Sequence, residues 1–279
     1  MKKRIKVIGL IIVFSIAALS AGAAFFKYWL RQHQKVIKVS GNIEGNDVRI
    51  SFRIDGQIVE LLSDEGMLLE NGQIVARLNK DELSKQKAEA EAALKLAQFQ
   101  YKLDYDNYLR AENLYKAGAV SAQQRDTAKT TADTDKANVD KLNASLELVN
   151  TKLGWTDLAS PLDGYVIVKS ALQGEVVQAG APVFTAIDLN DVWVTGYIQE
   201  NDLAKVKLNQ KAQVQTDSYP DRKYDGRVSF ISDQTEFTPK YIQTTEERVK
   251  YVYRIKVRVD NSSLDLKPGM PADAYINLQ

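Results

Sequence analysis

Residues 55–75 read DGQIVELLSDEGMLLENGQIV, and residues 163–183 repeat that framework as DGYVIVKSALQGEVVQAGAPV. The two copies align without a gap at a single offset of 108 residues. Each copy looks like short strands separated by glycine turns. We therefore expect structural turn glycines at these positions: Gly56, Gly66, Gly72, Gly164, Gly174 and Gly180. Coincidence among 15 glycines explains such a match poorly, so the sequence predicts two halves of one small β-module.

The segment between the two copies has helix composition. Residues 80–153 contain no Pro or Trp and a single glycine, Gly118, and they are rich in Ala, Lys, Gln, Leu and Glu. Gly118 suits a helix C-terminus, and residues 121–124 read as a capping box that opens a second helix. A heptad stripe runs along each arm, which predicts an antiparallel coiled coil of two helices. Its predicted seam positions are Leu83, Lys87, Ala90, Leu94, Ala97, Tyr101, Asp104, Tyr108, Ala111 and Tyr115 in the first arm, and Ala128, Ala132, Asp135, Val139, Leu142, Leu146, Val149 and Leu153 in the second.

Charge and composition exclude several classes of function. The chain carries 37 Lys and Arg against 36 Asp and Glu, a formal charge of +1, so we expect no nucleic-acid partner. The absence of Cys excludes disulfides, thiolate metal sites and a Cys-linked lipid. Because His33 is the single histidine, metal sites that need several histidines are also excluded. We therefore expect no catalytic site, no metal, no cofactor and no enzymatic activity.

The N-terminus predicts the compartment. Val7 to Phe26 is an uncharged run of the length that spans a bilayer as a helix, and four cationic residues precede it. This pattern predicts a cytoplasmic tail at residues 1–6, a transmembrane anchor at 7–26 and an extracytoplasmic location for the rest of the chain. The small residues Ala21-Gly22-Ala23 leave a cleavable signal peptide as the alternative.

The predicted fold class is mainly β with a long α-helical hairpin. Residues 42–79 and 157–188 form the two halves of the β-module, and residues 80–154 form the hairpin that interrupts it. From residue 189 to 279 short strands alternate with turns, which predicts a small antiparallel β-barrel. Residues 35–41 are expected to add a strand to this barrel.

This order of segments resembles the periplasmic adaptor, or membrane fusion, family of HlyD-like proteins over nearly the whole chain. The two half-modules look like a lipoyl/biotinyl-type domain split by the hairpin. Leu266-Lys267-Pro268-Gly269-Met270 resembles a signature near the end of the adaptor barrel. Residues 237–240, 246–248 and 253–257 resemble the subgroup that is paired with ABC-type exporters.

The resemblance implies a role in assembly at the inner membrane. Such adaptors form rings, commonly hexamers, that connect an inner-membrane transporter, here favoured to be of ABC type, to a TolC-like outer-membrane channel. Arg110-x3-Leu114-x6-Ser121 matches the Arg-Leu-Ser pattern of TolC-docking adaptors. The resemblance implies that Arg110 hydrogen-bonds the channel, Leu114 packs on apolar surface and Ser121 allows close approach. In the alternative without docking, Arg110 is a solvated helix charge, Leu114 is a hairpin core residue and Ser121 is only an N-cap.

Three other functions stay open at this point. The chain could be a membrane-anchored coiled-coil envelope scaffold that has no channel partner. The chain could be a lipoyl-type carrier, which would present a modified lysine where Lys80 opens the hairpin. It could also be an adaptor for protein secretion, although such adaptors usually have longer helices. The sequence does not specify an exported substrate, because adaptors of this kind seal the path while the transporter selects the cargo.

Overall fold

The computed structural model describes residues 36–237 and 251–278. The predicted tail at 1–6 and anchor at 7–26 lie outside these residues, as does half of the predicted subgroup signature, namely 238–240 and 246–248. In the described part of the chain, no helix is long and apolar enough to cross a membrane. The described residues divide into two compact units, one of residues 47–188 and one that combines residues 36–46 with 189–237 and 251–278.

Twelve strands and three helices are described in these two ranges. In chain order they are β1 (Val36–Ser51), β2 (Gly56–Leu61), β3 (Leu68–Leu69), β4 (Ile74–Leu78), α1 (Asp81–Lys116), α2 (Ala122–Gly154), β5 (Asp157–Ala159), β6 (Gly164–Lys169), β7 (Val176–Val177), β8 (Pro182–Gln199), α3 (Glu200–Leu203), β9 (Lys211–Thr216), β10 (Tyr219–Phe237), β11 (Tyr251–Val259) and β12 (Pro271–Asn277).

The unit of residues 47–188 interleaves the two repeat copies. β2, β3 and β4 begin at residues 56, 68 and 74, and β6, β7 and β8 begin 108 residues later in each case. The pairing is exchanged between the copies, since β2 pairs with β7 and β3 pairs with β6. Each copy therefore completes its strand ladders with the other copy, and neither half can form the sheet alone.

The hydrogen bonds between the copies follow an approximate two-fold symmetry. Ile58 N donates to Glu175 O at 2.8 Å, and its repeat equivalent Val166 N donates to Met67 O at 3.0 Å. The two Asp side chains of the repeat behave in the same way. Asp55 accepts from Ala179 N at 2.7 Å, and Asp163 accepts from Asn71 N at 2.8 Å. Each Asp thus caps a turn in the opposite copy.

Two of the glycines that were expected in turns have another role. Gly66, Gly72, Gly174 and Gly180 have positive φ angles between 81° and 91°, but Gly56 and Gly164 do not and instead begin strands. The prediction of a turn is wrong for these two. A Cβ on Gly164 would lie 2.4 Å from the carbonyl oxygen of Ile187, and a Cβ on Gly56 would lie 3.0 Å from Leu78 Cδ1. Close packing inside the sheet is the reason for glycine at these positions.

The core of this unit draws on both repeat copies. Its buried residues are Ile50, Phe52, Ile58, Leu69, Val75, Ala76, Leu78, Leu158, Val166, Ala171, Val177, Val183, Phe184 and Ala186. Because these side chains come from both sides of the hairpin, the core closes only when the two halves meet.

The helical hairpin confirms the predicted coiled coil. α1 has 36 residues and α2 has 33 residues. In both helices the predicted seam positions are buried or half-buried, apart from Tyr115 at the tip, and most other side chains are exposed. Leu94, Ala97 and Ala132 are the helical residues with the lowest exposure in the described chain. The seam is narrow, as expected for a two-stranded coiled coil.

The second unit is a closed antiparallel barrel, which confirms this part of the predicted fold class. Its strands follow the order β1-β12-β9-β10-β11-β8, and a further pairing of β8 with β1 closes the barrel. β1 pairs with β12 from Val36 to Asn42. The core contains Val39, Ile43, Val192, Val194, Ile198, Val206, Ala212, Val214, Tyr224, Val228, Ile255, Val257, Val259, Leu266, Ala272, Ala274 and Ile276.

The Leu266–Met270 segment ties the last strand of the barrel to the first. Leu266 is fully buried, and Gly269 has a φ of +85°. Gly269 N donates to Ile43 O at 2.9 Å, and Ile43 N donates to Met270 O at 2.8 Å. The glycine therefore supplies a backbone turn that an L side chain adopts only with strain.

Candidate functional site: the hairpin tip

The turn between α1 and α2 is a short loop that is held by backbone and side-chain hydrogen bonds. Gly118 follows the end of α1 by two residues and has a φ of +72°. Ala119 N donates to Leu114 O at 2.8 Å, and Gly118 N donates to Tyr115 O at 2.9 Å. These two bonds form a Schellman motif, which satisfies the last carbonyl groups of α1 and reverses the chain within a few residues.

The second helix begins at a capping box. Gln124 N donates to Ser121 Oγ at 3.2 Å, and Ser121 N donates to Gln124 Oε1 at the same distance. Ser121 is exposed and has an extended backbone, as N-cap residues do. The turn is therefore fixed from both sides by local hydrogen bonds.

A clamp of three side chains joins the two helices just behind the turn. Arg125 of α2 lies 3.7 Å from Glu112 of α1 and places its guanidinium 4.6 Å from the ring centre of Tyr115. A hydrogen bond from Arg125 to Asp126 raises the pKa of the arginine, so the group stays charged. Lys116 also pairs with Glu112, at 3.2 Å. Ionic and cation–π contacts thus fix the register of the tip.

Sequence reasoning missed this clamp, although a signal was available. Glu112 and Arg125 lie at equal distances from the turn between Gly118 and Ala119, and they carry opposite charges. In an antiparallel hairpin, positions at equal distances from the turn face each other. A search for opposite charges at such positions would have found the pair.

The three predicted docking residues lie on both sides of the turn. Arg110 is exposed, and its Nη2 donates to Asn107 Oδ1 at 2.5 Å. Leu114, one turn further along α1, is 48% exposed and therefore does not belong to the hairpin core. Ser121 lies directly before α2. The arrangement offers a cation, an apolar side chain and a small hydroxyl at the end of the hairpin, and it contains no group poised for covalent chemistry among these three residues.

Comparisons with protein families cover most of the chain. A family model described as the CzcB-like barrel-sandwich hybrid domain matches residues 46–188. A second model, described as the YknX-like β-barrel domain, matches residues 192–276. The two matches cover the module with its hairpin and most of the barrel.

Similar proteins are named as membrane proteins, and one similar structure is named as a membrane fusion protein. A UPF0194 membrane protein of Citrobacter koseri is 28% identical and covers 94% of this chain and 95% of its own length. UPF0194 membrane protein YbhG of Salmonella typhi is 28% identical over 99% of this chain and 98% of its own length. MacA of Actinobacillus actinomycetemcomitans is 25% identical with a TM-score of 0.66, over 88% of this chain and 79% of MacA. A membrane fusion protein of Streptococcus pneumoniae shares the fold, with 19% identity and a TM-score of 0.69 over 87% of this chain and 99% of its own.

Proposed function

The chain belongs to the membrane fusion proteins, since it carries a barrel-sandwich hybrid domain and a YknX-like barrel domain. We propose that it is the periplasmic adaptor of a tripartite export system. In this role it connects an inner-membrane transporter to a TolC-like outer-membrane channel, and the role is structural rather than enzymatic. Residues 7–26 anchor it in the inner membrane, residues 1–6 remain in the cytoplasm, and the rest of the chain lies in the periplasm.

The observation that carries the proposal is the outward-facing Leu114 at the hairpin tip. A leucine that packed in the seam would be buried, whereas Leu114 keeps 48% of its surface exposed beside the cationic Arg110. An exposed apolar side chain next to a charge at the end of a long rigid hairpin suits contact with another protein. Leu114 would pack on apolar channel surface, and Arg110 would hydrogen-bond backbone or carboxylate groups of the channel.

Self-association into a ring is supported by the outer face of the hairpin. Leu96, Phe99 and Leu103 are 72%, 62% and 53% exposed. At about 3.6 residues per turn they lie on the side of α1 that is opposite the seam, in line with Arg110 and Leu114.

The corresponding outer face of α2 carries small residues at heptad spacing, Thr130, Ala137, Ala144 and Thr151, with the exposed Leu148 between the last two. Large side chains on one face fit against small ones on the other when α1 of one copy lies beside α2 of the next. Such a contact is head-to-tail, and it forms a ring when the rotation closes. We take the ring to be a hexamer, as the family resemblance implies.

We assign the transporter to the ABC class on the signature at residues 237–257. The described part of this signature lies in β10 and β11 of the barrel, and residues 238–250 lie outside the described chain. Extraction of the protein from membranes, followed by co-purification and identification of its neighbours, tests this assignment. Recovery of a proton-driven transporter in place of an ABC transporter would refute it.

Two substitutions at the tip test the proposed docking. Arg110→Asp reverses the charge and Leu114→Ser removes the apolar group, so each should abolish export and crosslinking to the channel while expression and helicity stay unchanged. A matched control on the same hairpin is Lys102→Asp, which alters an exposed charge away from the tip and should leave export unchanged. Export that persists in both tip variants would refute the docking role and would favour a coiled-coil envelope scaffold.

A further inference from the structure

Two carboxylates face each other inside the seam of the hairpin. Asp104 of α1 and Asp135 of α2 occupy seam positions where a coiled coil normally places apolar residues, and both are half-buried. The Oδ2 atom of Asp135 is shielded from solvent and has no hydrogen-bond donor among the described residues. A buried ionised oxygen without a partner is costly, so the geometry calls for a proton at this position.

The contacts of Asp104 indicate which of the two carboxyl groups carries that proton. Gln100 Nε2 donates to Asp104 Oδ2 at 2.5 Å, and Asn107 Nδ2 donates to Asp104 Oδ1 at 3.2 Å. Both donors favour the ionised form, and the bond from Gln100 is the largest cause that lowers the pKa of Asp104. The hydrogen bond with Asp104 raises the pKa of Asp135, and burial adds to the rise. Asp135 is therefore the acid and Asp104 the acceptor.

Among the described residues, no cation contributes to the pKa shifts of the two carboxyl groups. The seam positions within one heptad of the pair are occupied by uncharged residues, which are Ala97, Tyr101, Tyr108 and Ala111 on α1 and Ala128, Ala132, Val139 and Leu142 on α2. The tyrosines are the other titratable groups in this set. In the part of the chain that the structure describes, the groups that shift the two pKa values include no Lys, Arg or His.

We propose that Asp104 and Asp135 form a proton-sharing clasp that holds the two arms of the hairpin together near its tip at low pH and releases them as the pH rises. With one proton the pair is joined by a charge-assisted hydrogen bond, which is stronger than a neutral one. With none, two negative charges face each other across the seam and repel.

The direction of the pH dependence follows from the two groups. A raised pKa of Asp135 means that the folded hairpin holds a proton that the opened hairpin releases, so its stabilisation is present at low pH and is lost as the pH rises through the raised value. A lowered pKa of Asp104 keeps the acceptor ionised until the pH falls below its ordinary range. The clasp is closed at pH values between the lowered pKa of Asp104 and the raised pKa of Asp135.

The clasp is connected to the docking residues. Asn107 donates to Asp104 and accepts from Arg110, so the side chain of Arg110 is held by the same network. If the tip docks on a channel as proposed above, the closed clasp orders the arginine that makes the contact. This consequence rests on the proposed function, whereas the clasp itself does not.

Hydrogen–deuterium exchange of the full chain in detergent, without any channel protein, tests the clasp between about pH 3 and about pH 8, a window that begins below the ordinary range of an Asp carboxyl, after correction for the intrinsic exchange rate. In the wild type, protection of residues 98–110 and 128–140 should fall as the pH rises, by up to about tenfold for each unit by which the pair's pKa is raised. Protection of the hairpin base at 83–90 and 146–153 should not change.

Three variants make the result decisive. Asp135→Asn donates a hydrogen bond without titrating, so its protection should stay high across the range. Asp135→Ala also removes the second charge, so it should lose the pH dependence as well. Agreement between the two variants shows that the loss does not come from a packing defect specific to Asn. Asp133→Asn changes an exposed Asp two residues away and should behave as the wild type. A flat wild-type profile, or a pH dependence that survives in both Asp135 variants, would overturn the clasp.

Discussion

Excision of the hairpin should leave the β-module folded. The two ends of the hairpin leave the module side by side, because Leu78 N donates to Thr156 O at 2.9 Å and Arg77 pairs with Asp157 across β4 and β5. A turn of two to four residues joins strands at this separation. Removal of residues 80–154 with insertion of such a turn therefore reconnects the two repeat copies without moving β4 or β5.

The expected effect on stability is small and favourable. In the unfolded chain the two copies are separated by 75 hairpin residues, and the variant replaces these with about four. Loop-closure entropy scales as (3/2)RT ln n, which makes closure easier by about 2.5 kcal/mol at most. The core of the module loses nothing, since its buried side chains all lie outside the hairpin.

Circular dichroism and thermal unfolding of the purified variant measure this prediction. The helical signal should disappear, the β signal should remain, and the unfolding temperature should stay at or above that of the wild-type module, while export is lost. A useful control removes residues 122–154 alone. α1 then has no partner for its seam, so most of its helical signal should also disappear, and residues 80–121 should close the module as a flexible loop with the β signal retained. Loss of the β signal after complete excision would refute the interrupted-module interpretation.

Three further predictions concern packing, assembly and topology. Gly164→Ala should destabilise the protein by roughly 1–3 kcal/mol because its Cβ meets the Ile187 carbonyl, whereas Gly56→Ala should cost less because it meets a flexible leucine side chain; an equal loss of unfolding temperature in both would contradict this. Phe99→Asp should shift the oligomer towards the monomer in analytical ultracentrifugation, and an unchanged distribution would remove the outer face of α1 from the ring contact. A periplasm-specific reporter fused after Gln279 should be active, and activity of a cytoplasm-specific reporter there would reverse the proposed topology.

The sequence by itself determined the elements that depend on local pattern. The 108-residue offset predicted strands that begin at equivalent places in both copies, because glycine and β-branched residues act through their own backbone conformation. The heptad stripes predicted the hairpin seam, since the face that a residue occupies on a helix depends only on its position in the period. The capping box at Ser121 and the glycine after α1 are likewise decided within a few residues.

The tertiary structure decided everything that joins residues far apart in the chain. The exchange of strands between the copies, and the capping of each copy's turn by Asp55 or Asp163 of the other, depend on contacts across about 100 residues. No local pattern encodes which strand becomes a neighbour. The same reason accounts for Gly56 and Gly164, which looked like turn residues until the atoms beside them were known. It also accounts for Asp104 and Asp135. In the sequence they are two polar interruptions of separate stripes, and only the packing of α1 on α2 places them face to face.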